Sequence, residues 1–289
     1  MGLARVLASP YIDFIGSPIS YGFRGIGGDA SISQASESCR IHGKLLLMEA
    51  DSRLHDMPPN STFGRVDTPA ESEAVLRRNL ARAVIHAQAA WRAPMDFAPF
   101  LPLLKRFNEI GTFALGLDRT PSAEVAVITD EENFFHMSDR YDLDLAATSH
   151  QVLKGLARFG APFDHYLLDD FAEGRIKPYK LYIFPYAWRI DAARREKIKM
   201  ELRRDGRIAV WVYAPGFVAD DASVDNMKDL TGFTYGRSDY PFPAFMHITD
   251  FTHPITERIS QDLFWSFSAP LGPLFWIEDP EARILGQVA

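Results

Sequence analysis

The chain has 289 residues, of which 47% are hydrophobic and 24% charged, and its 31 Lys and Arg against 38 Asp and Glu leave a formal net charge of −7. These proportions describe a globular protein with room for roughly two cores and exclude a disordered or fibrous one. The acidic balance argues against a nucleic-acid partner, and the lone Cys39 excludes an internal disulfide and any multi-cysteine zinc site within one chain.

No apolar run approaches the roughly 18 residues of a membrane span, and Asp13 interrupts the N-terminal apolar stretch before a signal-peptide core is complete. The expectation is a cytoplasmic, reduced protein without a membrane partner.

In chain order, residues Val6 to Ile15 are rich in β-branched and aromatic types and predict a strand, ended by Gly16-Ser17-Pro18. A Gly-rich loop (Gly22 to Gly28) follows, then a helix over Ser31 to His42 stopped by Gly43. Lys44 to Glu49 is almost wholly apolar and reads as a strand buried on both faces. Residues Asp51 to Thr68 are polar and hold Pro58-Pro59-Asn60. A loop of about 18 residues is long for a connector and suits a functional rim. Thr68, Pro69 and Glu71 have the spacing of a capping box, starting a helix that runs to about His86. A strand over Ala89 to Phe97 and a helix over Pro99 to Leu117 complete this part. That helix gathers Leu103, Leu104, Phe107 and Ile110 on one face.

Composition shifts at Asp118-Arg119-Thr120-Pro121, which places a domain boundary near residue 120. Strands are predicted over Glu124 to Thr129, Phe163 to Leu168, Leu181 to Pro185 and Ile208 to Tyr213. Helices are predicted over Leu143 to Phe159, Asp191 to Asp205 and Asp225 to Thr231. This rhythm implies a parallel sheet with helices on both faces. The Pro- and aromatic-rich segment beyond Phe233 yields no assignment. The fold class expected is α/β: strand-helix units too few for a whole barrel in residues 1–120, then a doubly wound parallel sheet in 121–289.

The sharpest chemical feature is the stretch from Leu45 to His55, in which Glu49 ends a strand and Asp51, Arg53 and His55 follow at alternate positions. Parallel α/β folds gather chemistry at the C-terminal ends of strands, where a carboxylate can serve as nucleophile or base. The competing reading is a structural ion pair of Glu49 with Arg53 or Arg24. In the loop Tyr21 to Gly28 the glycines lack the Gly-Lys-Ser/Thr continuation of a phosphate loop, which favours a flexible rim over a nucleotide site. Tyr21 and Arg24 remain able to meet a hydroxyl- or carboxylate-bearing ligand. His42 and His86 are expected in capping or core roles. Trp91 is read first as a core residue, but it sits on a strand whose end can face the Glu49 loop. No metal-ligand spacing is present, and no cofactor is expected. In the second sheet, Val212-Tyr213-Ala214-Pro215-Gly216 stands where an amidotransferase cysteine elbow would fall, and it carries no nucleophile.

At Leu47-Met48-Glu49 the chain resembles glycoside hydrolase family 42, the barrel-type β-galactosidases. The stretch Val84-Ile85-His86-Ala87-Gln88-Ala89-Ala90-Trp91 resembles that family's last barrel unit, and residues from about Ser122 resemble its trimerisation domain, an amidotransferase-like fold without that activity. The resemblance implies a (β/α)-barrel segment, a carbohydrate ligand, a trimeric assembly and a catalytic nucleophile at Glu49, the one catalytic residue it carries over; on that reading the neighbouring Arg24, Asp51, Arg53, His55 and Trp91 are expected to shape the sugar site. Two departures stand out. Ala50-Asp51-Ser52-Arg53 replaces the family's Gln-Ser/Thr-Pro continuation, which points to a divergent ligand. The family's acid/base Glu follows an Asn on an earlier strand, and no Asn-Glu precedes Glu49. The expectation is therefore the end of a barrel joined to the trimerisation domain, with about five strands absent. The reading is a retaining glycosidase or its descendant, the alternative a non-catalytic carbohydrate-binding or oligomerisation protein. A third reading is an unrelated α/β protein in which Glu49 is structural.

Overall fold

The computed structural model describes residues 2–31, 34–91, 98–137 and 155–288. Where a strand is expected over Val6 to Ile15, a short helix α1 (Leu3–Leu7) is followed by strand β1 (Phe14–Pro18). Leu3, Ala4 and Leu7 lie at helical spacing and join the core around Leu46 and Met48, so burial decides for the helix where a short apolar run leaves the period ambiguous.

Helix α2 (Ser36–Ile41), strand β2 (Leu45–Glu49), helix α3 (Pro69–Ile85), strand β3 (Ala89–Trp91) and helix α4 (Leu101–Leu115) follow. The capping box at the start of α3 is present in full: Thr68 accepts from the Glu71 N–H, and the Glu71 carboxylate accepts from the Thr68 N–H. The part of the third strand expected beyond Trp91, residues 92–97, lies outside the described residues.

Strands β1, β2 and β3 form a parallel sheet in that order. Leu46 and Met48 are buried against Cys39 of α2 and Ala83 of α3. Leu45, on the other face, is 47% exposed, and its neighbour in register, Phe14, is 57% exposed. The two-sided burial expected of β2 is thus corrected to one-sided burial: among the described residues the helices pack Leu46 and Met48 on one face, while Leu45 and Phe14 on the other are exposed.

The second sheet is built from β4 (Val125–Thr129), β5 (Phe163–Leu167), helix α5 (Leu168–Ala172), β6 (Leu181–Phe184), helix α6 (Ala192–Leu202), β7 (Ile208–Trp211) and helix α7 (Val224–Thr231). All pairs are parallel and the order is β5-β4-β6-β7, the flavodoxin-like order of doubly wound folds. β4 is buried along its whole length. Ala126 and Ile128 enter one core with Ile198 of α6 and Leu230 of α7, while Val125 and Val127 enter another on the opposite face. The helix expected over Leu143 to Phe159 falls mostly outside the described residues.

The segment without an assignment folds into antiparallel ribbons. β8 (Tyr235–Ser238) pairs with β11 (Leu274–Ile277), and β9 (Phe242–Ile248) is flanked by β10 (Phe264–Leu271) and β12 (Gly286–Val288). The whole is an α/β protein of two parallel sheets with small antiparallel ones. No helix among the described residues is long and apolar enough to cross a membrane.

The two parallel sheets meet through α2. β5 is an edge strand, and its outward N–H groups at His165 and Leu167 donate to Glu37 Oε2 (2.7 Å) and Ser38 Oγ (2.8 Å) on α2. Side chains of the first part thereby satisfy an edge that would otherwise need water or another strand. Asp170 of α5 reciprocates, accepting from Ser38 Oγ (2.6 Å) and pairing with His42 Nε2 (2.7 Å).

Candidate active site at the end of strand β2

Glu49 is the last residue of β2 and sits in register between Pro18 of β1 and Trp91 of β3. Side chains alternate along a strand, so with Leu46 and Met48 in the core, Glu49 shares the open face with Leu45 and Leu47. It is half-buried.

Among the described residues its carboxylate has no hydrogen-bond or ion-pair partner. The two arginines that a structural reading of Glu49 requires are committed elsewhere. Arg24 Nη1 donates to Asp51 Oδ2 at 2.8 Å, and Arg53 Nη1 pairs with Asp51 Oδ1. Asp51, two residues past Glu49, thus absorbs both guanidiniums. Arg24 is 1% exposed, and its Nε also donates to the Ile19 carbonyl at 3.1 Å. Asp51 and Arg24 are accordingly parts of a rim scaffold.

His55 is fixed by Ser72 of α3, whose Oγ lies 2.8 Å from Nδ1 and accepts from the His55 N–H at 3.1 Å, and its ring meets Phe100 edge-on. Trp91 is 44% exposed, and its carbonyl accepts from the Ala50 N–H at 2.9 Å. β2 and β3 therefore stay paired past Glu49, with the indole beside it in register.

The Gly-rich loop is the reverse of a phosphate cradle. The carbonyls of Arg24, Gly25 and Gly28 converge on the guanidinium of Arg78 from α3 at 2.8, 2.6 and 3.1 Å. A phosphate site would converge N–H groups. The glycines are needed for packing instead: a Cβ on Gly64 would lie 2.5 Å from the Gly25 nitrogen, and one on Gly28 would lie 2.3 Å from the Phe23 carbonyl oxygen.

Residues missing from the sequence reading are Ser72, Arg78 and Asn79 on α3, and Phe63 in the long loop. Asn79 donates to Ser52 Oγ at 2.9 Å, holding the chain just beyond Glu49. A signal for Ser72 and Asn79 did exist: two polar residues seven apart on the same helical face as Val75 and Leu76, all buried. Phe63 carries no such signal.

Glu37, the nearest alternative carboxylate upstream, is already engaged. It is buried in the seam on α2, where it accepts from His165 N–H and Ser36 Oγ (2.7 Å each) and pairs with His86 Nδ1 (2.8 Å). Burial works to raise its pKa, but the His86 hydrogen bond and charge and the two other donors outweigh it and hold the carboxyl below its ordinary value. His86 and His42 accordingly serve the seam, in keeping with structural rather than ligand roles. No cluster of three metal-ligating side chains occurs among the described residues.

In the second sheet the turn after β7 keeps the strain of an elbow without its chemistry. Tyr213 and Ala214 have φ of 57° and 47°, and Ala214 is buried. At the topological switch point between β4 and β6, Asp130 is buried and pairs with Arg194 at 3.2 Å. Burial pushes its carboxyl up to about 6 against the pull of Arg194.

No protein-family model and no curated protein sequence matches the chain. Solved structures do. A family 42 β-galactosidase, Gan42B, superposes with TM-score 0.57 at 14% identity over 99% of this chain and 44% of that one. The catalytic glutamate-to-alanine mutant of that enzyme from G. stearothermophilus gives TM-score 0.55 at 13% identity with the same coverage. A β-galactosidase from Bacillus circulans sp. alkalophilus gives TM-score 0.43 at 14% identity over 94% of this chain and 38% of that one. At such identity the likeness is one of fold alone: this chain has the architecture of part of a family 42 enzyme, and it spans less than half the length of those it matches.

Proposed function

We propose that the site at the end of β2 is that of a retaining glycosidase, with Glu49 as the nucleophile position, on the observation that among the described residues its carboxylate has no partner while both Arg24 and Arg53 are bound to Asp51. The sugar would lie on the open face of the sheet against Trp91, with Arg53 and His55 at its rim. A retaining mechanism needs a second carboxyl group about 5–5.5 Å away, to protonate the leaving oxygen and then activate water. Asp51 is neutralised in a double ion pair and Glu37 is buried at the seam, so neither is suited to that task. In this reading the general acid comes from further β/α units that close the sheet, and the chain by itself forms the glycosyl-enzyme only from substrates that leave without acid help. Loss of general acid catalysis costs about 10²–10⁴-fold.

The test is covalent trapping with 2-deoxy-2-fluoro glycosides bearing an activated leaving group, followed by peptide mapping. A mass increase on Glu49, absent from Glu49→Gln, supports the proposal. Folded protein that takes no label from any sugar overturns it and leaves a non-catalytic carbohydrate-binding or assembly role. For assembly, the resemblance points to a homotrimer, which sedimentation equilibrium measures directly.

A further inference from the structure

A cavity lies at the seam between the two parts, beside the starts of strands β3 and β5 and so away from the strand end that carries Glu49. Its volume is about 310 Å³, at the small end of the roughly 300–1,000 Å³ of ligand pockets. The last turn of α2, the end of α3, the start of β5 and the linker over residues 117–123 line it. Lys177 ties that linker down, donating to the Pro121 and Ala123 carbonyls at 2.7 and 2.8 Å.

Among the described residues, three polar side chains in its wall keep unpaired atoms. Asp164 is 7% exposed. Its Oδ2 accepts from Tyr179 at 2.6 Å, and Tyr179 is held in turn by Tyr166 at 2.9 Å, while Oδ1 accepts no hydrogen bond. Burial pushes this carboxyl above its ordinary value of 3.8, against the pull of the Tyr179 hydrogen bond. The half-buried guanidinium of Arg40 makes neither a hydrogen bond nor an ion pair among the described residues. His86 pairs through Nδ1 with Glu37 and leaves Nε2 without a partner. Buried polar groups are almost always paired. A carboxylate acceptor and a guanidinium donor that line one cavity without meeting each other are complements for a molecule that bears both charges. Val84, Leu117 and Phe163 add apolar wall between them.

We infer that this seam cavity binds an apolar α-amino acid, its ammonium on Asp164 Oδ1, its carboxylate on the Arg40 guanidinium and its side chain against Val84, Leu117 and Phe163. A cation alone leaves Arg40 unpaired, and an anion alone meets the carboxylates of Asp164 and Glu37. The inference is independent of the reading of Glu49. Because both parts of the chain supply the wall, the bound molecule braces them against each other, and binding to the folded chain alone stabilises it.

The experiment is isothermal titration of the full chain with L-leucine and with its two halves, isopentylamine and isocaproate, for wild type, Asp164→Asn, Arg40→Gln and Glu49→Gln. Asparagine keeps an oxygen for Tyr179, and Arg40 is half-buried with no partner to lose among the described residues, so both variants should fold, which circular dichroism checks. The wild type should bind leucine about 10- to 100-fold more tightly than either half, the worth of one charged hydrogen bond. Arg40→Gln should bring leucine down to the affinity of the amine and leave the amine unchanged. Asp164→Asn should bring leucine down to the affinity of the acid and leave the acid unchanged. Glu49→Gln should bind all three as wild type does. If Asp164→Asn fails to fold, Arg40→Gln decides alone. Absence of saturable leucine binding overturns the inference and leaves a water-filled seam. An amine that binds as tightly as leucine overturns it in favour of a site for cations alone, and so does unchanged leucine affinity in a folded Arg40→Gln. Unchanged leucine affinity in a folded Asp164→Asn overturns it as well.

Discussion

Removing the Glu37 side chain tests the account of how the two parallel sheets are joined. Glu37 is 4% exposed and takes three donors: the His165 N–H, Ser36 Oγ and His86. In Glu37→Ala, Ser36 can rotate and His86 can turn toward the partly open side of the seam, but the His165 N–H is fixed by its strand and is left without an acceptor. An unsatisfied buried donor costs about 1–3 kcal/mol, and breaking a buried ion pair about 3–5 kcal/mol. Allowing for the relaxation of Ser36 and His86, the expected loss is about 3–5 kcal/mol, a large share of the roughly 5–15 kcal/mol that holds a folded chain together. Glu37→Gln keeps the volume and one acceptor oxygen but turns an NH₂ toward a donor, so about 1–3 kcal/mol is expected. Equilibrium urea unfolding measures both against Glu73→Gln, which removes only an exposed helical pair with Arg77 and should cost under about 0.5 kcal/mol. The pH dependence has a definite sign. The folded state holds the Glu37 carboxyl below its ordinary value of 4.5, so its stabilisation is complete above that value and fades as pH falls below it. The gap between wild type and Glu37→Gln should close in acid. If Glu37→Ala unfolds within about 0.5 kcal/mol of wild type, the seam is not held as described.

Further outcomes follow from the same structure. Glu49→Gln should change stability by less than about 0.5 kcal/mol in urea unfolding, because among the described residues the carboxylate has no partner to lose, while abolishing covalent labelling. Gly64→Ala should cost well over about 1 kcal/mol, since its Cβ would meet Gly25 at 2.5 Å at a φ of 76°, whereas Gly27→Ala, with φ 75° and open space, should cost only the conformational part of about 1 kcal/mol; thermal melts distinguish them. Two buried groups act oppositely between pH 4 and pH 6. Burial lowers the His165 imidazole to about 4, so stability is lost as pH falls from 6.5 toward that value. Burial raises Asp130 to about 6, so stability is lost as pH rises from 3.8 toward that value. His165→Gln should remove the first slope and Asp130→Asn the second, each on the order of 3 kcal/mol in a pH series of denaturation curves.

Where a pattern is local, it is legible in the chain. The capping box Thr68–Glu71 and the parallel strands β2, β4, β5, β6 and β7 all follow from residue spacing, because caps and strand patterns involve neighbours in sequence. So does the position of Glu49 at a strand end, and the lack of a nucleophile after β7. The opening helix is misread because three apolar residues satisfy either period until the core selects one. The ribbons after Phe233 are hidden because prolines and aromatics break the alternation that marks a strand.

The candidate site divides the same way. Sequence order places Glu49, Asp51, Arg53 and His55 in one stretch, and it leaves open which carboxylate the arginines take. Only the tertiary structure decides that, because Arg24 arrives from the loop after a different strand and is buried where it meets Asp51. The same holds for Phe63 over Tyr21, Arg78 under the glycine loop and Glu37 against the edge of β5. Arg78 and Gly25 stand 53 positions apart in the chain, and Glu37 and His165 stand 128 apart. Contacts of that separation leave no trace in local spacing, because nothing between the two residues constrains their meeting until the sheets are packed. Sequence determined which groups stand near the end of β2; packing determined which of them are paired with one another.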